Sequence, residues 1–553
     1  MTHGNRNPGA SRRDALQTMI GIGAGLATRE FLIPENSSAA ASGTSIPFLS
    51  TRGASPSVAP GSAPAGFAGI YDVRGFGARG DGKTVDTPAI NKAIAAAAEA
   101  GGGTVRIPAG TYLCFSIHLK SKVSLYLDHG ATILAAENGE GGSYDAAEPN
   151  PWDKYQDFGH SHWHNALIWG EGLNDVAILG PGLIWGKGLT RGRGETGAGV
   201  GDKSISLKNC RNVTIRDVSF LHAGHFGILA TGVDNLTVDN VMMDTNRDGM
   251  DFDGCRNVRV SNCTVNSPWD DGICPKSSYA LGYARATENL TITNCFVTGS
   301  YQEGTVLDGT WKPFEPGVRV LRTGRIKCGT ESNGGFKNIT ISNCVFEGCC
   351  GLALETVDGA LLEDITVSNI TMRDVVEMPI FLRLGSRLRG PKGIAVGRLR
   401  RVSISNLVVS NTDARYASII SGIPGHEIED VRLSHITILR KGSGTKQDAA
   451  IELPEKENAY PEPNMFGATP SYGFFVRHVK GIEMSHIEIR CEKEDLRPAF
   501  ALNDVEGATF ICVKADRAQG VPAFAMKRVA DLDVYLSRPV PDTHLERAEE
   551  KEL

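Results

Sequence analysis

A short apolar alternation recurs along most of this chain: Asn, then Val, Leu or Ile, then any residue, then Val or Ile. It reads "RNVTI" around Asn212, "DNLTV" around Asn235, "RNVRV" around Asn257, "ENLTI" around Asn289 and "KNITI" around Asn338. Asn235 and Asn257 are 22 residues apart, and spacings of roughly 22 to 30 residues are the period of stacked repeats. A unit that short cannot bury its own apolar face, so copies must stack and share a core that grows lengthwise. β-Branched alternation without long amphipathic stretches selects strands over helices. A length of 553 residues, which would otherwise suggest several domains, then fits one solenoid of parallel strands. A second position, five residues on, gives Asn240, Asn262, Asn294, Asn343, Asn369 and Asn406. Stacked amides hydrogen-bond along the axis and satisfy turn backbone, which makes these asparagines structural.

Acids ride on the repeat. Asp248 lies 13 residues after Asn235, and Asp270 lies 13 after Asn257. That register predicts Asp248 and Asp270 on neighbouring turns, one above the other, with Asp271 alongside. Adjacent strands stack ~4.8 Å apart, and like charges that close are costly unless protons are shared or a ligand intervenes. A structural ladder would repeat Asn, Ser or Val instead. The same register stacks Gln302 on Asp270 and Glu303 on Asp271. Arg325 and Lys327, two apart on a strand, face the same way.

Export is expected from the N-terminus. Arg12 and Arg13 precede a short, Gly-rich apolar stretch, the pattern of a twin-arginine signal, and that stretch is shorter than the ~20 residues of a membrane span. The expected organisation is a signal over 1–41, a Ser/Pro/Gly/Ala-rich linker over 42–68, one solenoid over 69–540 and a charged tail over 541–553. Within 69–135, Thr87 can cap a helix that has Pro88 at its first position and runs to Glu99, while Gly101 to Gly103 end it. The 12 cysteines are read as free buried thiols, since Cys263, Cys295 and Cys344 recur at one repeat position. His160, His162 and His164 alternate on one face, but no nearby Cys or acid has a zinc-site spacing. A net charge of −6 argues against nucleic acid as partner.

Several ordered motifs converge. The stretches "GFGARGDGKTVDT", "GGGTVRIPAGTY" and "GPGLIWGKG" are followed by Asn246-Arg247-Asp248, Trp269-Asp270-Asp271 and Arg325-Ile326-Lys327. Over residues 69–520 the chain resembles the polygalacturonases, family 28 of the glycoside hydrolases. The resemblance implies an all-β fold, a right-handed parallel β-helix with a short N-terminal helical cap. It implies hydrolysis of O-glycosyl bonds in pectic polysaccharide or oligogalacturonide, with inversion and without cofactor or metal. Asp270 is then the acid, and Asp248 and Asp271 hold the water; crowding should raise one acid of the cluster. Arg325 and Lys327 suit a uronate carboxylate, with Asn246, Arg247, Trp269, Gln302 and Glu303 completing the substrate surface. Arg247 replaces the family's Thr, Trp269 its Gly or Gln, and its Gly-His-Gly motif is absent where "SYQEGTVLDGT" stands. Glu303 adds negative charge beside the acids, for which Arg247 is expected to compensate across the cleft. The lost His and bulky Trp269 favour, as alternatives, a rhamnogalacturonan or xylogalacturonan hydrolase. A calcium-dependent pectate lyase and a non-catalytic polysaccharide-binding β-helix are further readings. An exported monomer, periplasmic or extracellular, is expected.

Overall fold

Sharp corners break each coil of the chain into three short strands. Phe226–Thr231, Asp234–Asp239 and Met242–Asp244 are followed, one level on, by Asp248–Asp253, Arg256–Ser261 and Thr264–Asn266. Successive levels pair in parallel and in register, Leu236 on Val258 and Met243 on Val265. The computed structural model describes residues 69–553 apart from 140, 193–196, 246, 303–305, 311, 316–317 and 539. The expected signal and linker lie outside the described residues.

The repeat asparagines make the corners. Asn235, Asn257, Asn289 and Asn338 have φ between 54° and 57°, a left-handed conformation that Asn tolerates better than most residues. Their amides form a ladder: Asn257 Nδ2 donates to Asn235 Oδ1 and Asn289 Nδ2 to Asn257 Oδ1, both at 3.1 Å. The second set does the same, with Asn369 donating to Asn343 at 3.0 Å and Asn406 to Asn369 at 3.2 Å. Inside the corners, alternate β-branched and aliphatic residues fill one continuous core. Cys263, Cys295 and Cys344 occupy one interior position on successive levels, and all 12 cysteines are free thiols. From Phe336 the second and third strands of each coil merge, so that Phe336–Glu347 pairs with both Thr287–Thr293 and Phe296–Thr298.

Both ends of the stack are covered. Helix α1 (Thr87–Glu99) buries Ile90, Ala93, Ile94 and Ala97 against the core. Its cap is Asp86 rather than the expected Thr87, and no side chain caps the helix. Asp86 instead accepts the Arg79 and Gly80 amides at 2.7 and 2.9 Å, and Thr87 Oγ1 accepts the Phe115 amide at 2.8 Å, tying the helix to the first coils. At the far end, the expected charged tail is a strand. Thr543–Glu552 lies antiparallel to Phe524–Tyr535, with Leu545 packed on the core. Its charged side chains then cover an edge that would otherwise template aggregation.

Five levels of one face carry the chemistry: β1 (Phe226–Thr231), β2 (Asp248–Asp253), β3 (Ile273–Lys276), β4 (Ile326–Cys328) and β5 (Leu352–Thr356). All pair in parallel, with Met250 on Ile273, Ile273 on Ile326 and Ile326 on Leu352. Those register residues point into the core, so Asp251, Lys276, Lys327 and Glu355 point outward.

The corner ladder predicts an asymmetric response at Asn257. Asn257→Ala should lower stability by about 2 kcal/mol, combining left-handed strain with a lost amide. Asn257→Gly removes the same amide but accepts the backbone, and should cost roughly half as much. Thermal denaturation of both variants checks this, and equal losses would mean that φ at the corner is unimportant.

Candidate active site

Asp248 opens β2, and Asp270 and Asp271 lie in the corner that leads into β3. One carboxylate oxygen of each comes within 4.8 Å of the others. The expected stacking partner differs by one residue. Asp244 pairs with Asn266, an interval of 22, whereas Met250 pairs with Ile273, so the corner before β3 holds one extra residue. Asp248 therefore faces Asp271, and the Gly249 amide donates to the Asp271 carbonyl at 2.9 Å. Asp270 is displaced outward, its side chain 25% exposed against 3% for Asp271. The three acids line a cleft of about 340 Å³, with Trp269, 39% exposed, on its wall.

Cations of the chain hold two of these acids. Arg325 Nε donates to Asp271 Oδ1 at 2.7 Å, and Lys327 Nζ lies 3.3 Å from Asp271 Oδ2. Burial pushes the Asp271 carboxyl up, but Arg325 and Lys327 overcome it and hold the group at about 2. Arg247 makes a 2.6 Å ion pair with Asp270. Burial nonetheless raises Asp270, with Arg247 opposing and Asp271 adding to the rise. Asp248 has no such partner, and burial, then Asp270 and Asp251, lift it well above the usual carboxylate range. The cluster thus sets one firmly ionised carboxylate beside two that are pushed above the usual range. Crowding contributes, as the sequence implied, but burial is the larger cause.

One expected substrate contact does not reach the acids. After Thr298 the described residues leave the stack, and the chain returns with the Gly324 amide donating to the Asp270 carbonyl at 2.9 Å. Thr323 and Gly324, not Gln302, therefore lie level with Asp270 and Asp271. The repeat register fails here because it assumes a coil without an insertion. The Gln302 amide bonds instead to Lys312 within the excursion. Asn246 and Glu303 lie outside the described residues, so the expected compensation between Arg247 and Glu303 has only its Arg247 side in view, engaged by Asp270.

Other members were not singled out from the sequence. His225 sits one level below Arg247, its Nε2 3.5 Å from Arg247 Nη2, and burial followed by Arg247 lowers it to about 2, so it is a neutral imidazole. The register of β1 on β2 would have located it. Lys276 is buried 3.8 Å from Asp251 and 3.5 Å from Glu331, and His160 Nε2 is 3.1 Å from Asp251 Oδ2. Of the three alternating histidines only His160 turns to the cleft; His162 meets Glu148 and His164 meets Glu171. Trp163, beside them, is packed, being 1% exposed among Phe226, Leu229 and Ala280. Glu462 reaches Lys327 across 135 residues of sequence on a loop, and no periodicity announces it.

Among the described residues two groups have donors spaced for a cation, Asp248 with Asp270 and Asp271, and His160 with Asp248 and Asp251. Arg325 and Lys327 on Asp271, Arg247 on Asp270 and Lys276 on Asp251 already supply positive charge there. A divalent ion would meet that repulsion as well as the carboxylates.

Comparison with known proteins agrees with this fold. A family model described as "Rhamnogalacturonase A/epimerase, pectate lyase-like" matches residues 70–150, and one described as "Right handed beta helix region" matches 193–374. A probable polygalacturonase of Vitis vinifera is 24% identical over 66% of this chain and 73% of its own length. An exo-poly-alpha-D-galacturonosidase of Dickeya chrysanthemi is 25% identical, over 55% of this chain and 62% of its own. The solved family 28 exopolygalacturonase of Yersinia enterocolitica superposes with a TM-score of 0.57 at 17% identity, covering 79% of this chain and 78% of that one. The chain is a right-handed parallel β-helix protein similar to the polygalacturonases of glycoside hydrolase family 28.

Proposed function

We propose that this protein is an exported, inverting glycoside hydrolase that cleaves α-galacturonosidic bonds in pectic polysaccharide. One observation carries the reading: two carboxyls pushed above the usual range and one held at about 2 stand within 4.8 Å of one another in one cleft. Glycoside hydrolysis needs an acid for the leaving oxygen and a base for water. Asp270 is the more exposed and is the acid. The carboxylate it leaves behind is stabilised by Arg247, 2.6 Å away. Asp271, with Asp248 beside it, orients the water. Names of the similar proteins support pectic substrates.

Stereochemistry has a second reading. Inverting pairs usually stand ~6.5–9.5 Å apart and retaining pairs ~5–5.5 Å, so oxygens that lie within 4.8 Å of one another fall on the retaining side. Asp271 argues the other way. Both its oxygens are engaged, one by Arg325 and one by Lys327. Bonding covalently to a sugar would forfeit an ion pair, whereas orienting a water uses only a spare lone pair. A calcium-dependent lyase uses the same acids as ligands, against the four cations already there.

Reducing-sugar release from polygalacturonate, rhamnogalacturonan and xylogalacturonan tests the function. Activity on at least one polymer is expected, unaffected by chelator and without unsaturated product, and Asp270→Asn should lower it at least ~1,000-fold, the combined scale of acid catalysis and charge placement. Proton NMR of the first product should show the inverted anomer. Folded protein inactive on every pectic polymer would sink the proposal, and would leave a binding module.

The pH profile follows from the shifts. Asp271, held at about 2, stays ionised throughout the working range, so the alkaline limb reports loss of the Asp270 proton. Arg247 lowers that group. Arg247→Gln should therefore raise it and move the alkaline limb of kcat/KM to higher pH, whatever the effect on the maximum. A shift to lower pH would contradict the assignment.

Export rests on Arg12 and Arg13 before the short apolar stretch. Changing both to lysine, which twin-arginine recognition should reject, is expected to retain the protein inside the cell; unchanged export in fractionated cultures would refute it.

A further inference from the structure

The cationic wall of the cleft is already answered by a carboxylate of the chain itself. Arg325 Nη2 donates to both oxygens of Glu462, at 3.1 and 2.9 Å, and Lys327 Nζ reaches Glu462 Oε1 at 3.4 Å. One guanidinium nitrogen thus meets both carboxylate oxygens, in charge-assisted contacts of the kind a free carboxylate would seek. The two cations are buried, while the Glu462 side chain is 37% exposed on the cleft side. A ligand approaching Arg325 and Lys327 meets Glu462 first.

Charge leaves no surplus there. Two cations face Asp271 and Glu462, and further buried carboxyls stand 3.9 Å away, Glu355 from Lys327 and Glu377 from Arg325. A uronate placed against this wall would have to evict Glu462 or sit beside its charge.

Eviction is opposed by the way the loop is tied. Arg477 donates to the Leu453 and Pro454 carbonyls, and Arg383 to those of Glu455 and Lys456. Nearer the tip, Tyr460 Oη donates to Asp157 at 3.2 Å and Asn464 Nδ2 to Glu377 at 2.7 Å, bracketing Glu462 on both sides.

We propose that Glu462 determines specificity by filling the carboxylate position of this subsite, so that the sugar lodged against Arg325 and Lys327 is a neutral one whose hydroxyls donate to Glu462. The inference rests on the pectic reading above and narrows it to polymers that carry neutral as well as acidic sugars in or on the backbone. Glu462 is here a substrate-binding residue with no part in bond cleavage.

Binding, measured by calorimetry on the Asp270→Asn chain so that nothing is cleaved, separates the two claims. The probes are trigalacturonate and an oligosaccharide alternating galacturonate with rhamnose. The alternating probe should bind at least tenfold tighter. Adding Glu462→Gln should tighten trigalacturonate about tenfold and leave the alternating probe unchanged or weaker. In Glu462→Ala, acetate should compete with trigalacturonate, a readout that requires only that the cations remain in place. Tighter binding of trigalacturonate to the Glu462 protein, or no response to either substitution, overturns the role of Glu462 and leaves the pectic reading standing. Binding of neither probe by any variant overturns both.

Discussion

Register is the constraint on which the cleft depends. Parallel coils held by amide ladders at Asn235, Asn257 and Asn289 give every outward side chain a fixed height and direction. One extra residue before Ile273 then brings Asp248 level with Asp271 and leaves Asp270 beside them. A corner without that residue would stack Asp248 on Asp270 and remove Asp271 from the pair. Because the core ladder cannot slip by one residue without turning apolar side chains outward, the carboxylates are held in place by the burial of the whole stack.

Charge is the second constraint. Bringing an unpaired carboxylate into a buried site costs several kcal/mol or drives it to take up a proton. The cleft uses both outcomes. Asp271 receives Arg325 and Lys327 and stays ionised; Asp248, with no ion pair of its own among the described residues, is pushed well above the usual carboxylate range. The same rule runs outward, where burial raises Glu355 to about 7 although Lys327, shared with Asp271 and Glu462, stands 3.9 Å away and opposes the rise. Protonation states across the wall are thus set by how few cations serve how many acids.

What was legible in the sequence followed the periodicity. The stacked strands, the corner asparagines, the cysteine position and the gathering of Asp248, Asp270 and Asp271 all derive from one repeat. Arg325 and Lys327 were found because their motif survives intact, although Glu462 occupies the position expected for a uronate. Prediction failed where the chain leaves the period. Gln302 was misplaced because the register counted a coil straight on from Thr298, whereas the chain regains the level of Asp270 only at Thr323 and Gly324. The last strand was missed because its glutamates and lysines show no apolar alternation, its role being to cover an edge. Glu462 and Tyr460 sit on a loop tied by buried Arg383 and Arg477, and nothing in the repeat singles out those arginines.

That division has a physical basis. Strand positions must satisfy the ladder above and below, so residues placed there change only within narrow limits; a reaction centre that needs carboxylates at constant spacing belongs on them. Loops between strands answer to no such ladder and can lengthen at small entropic cost, each doubling adding about 0.6 kcal/mol. The acids lie in or beside the stack, on or just before β2 and β3, with Arg325 just before β4 and Lys327 on it. Glu462, which meets incoming ligand first at the cationic wall, comes from a loop tied to that stack by four backbone carbonyls. Sugar selection can therefore change by rerouting one loop while the spacing of the three acids stays as the coils set it.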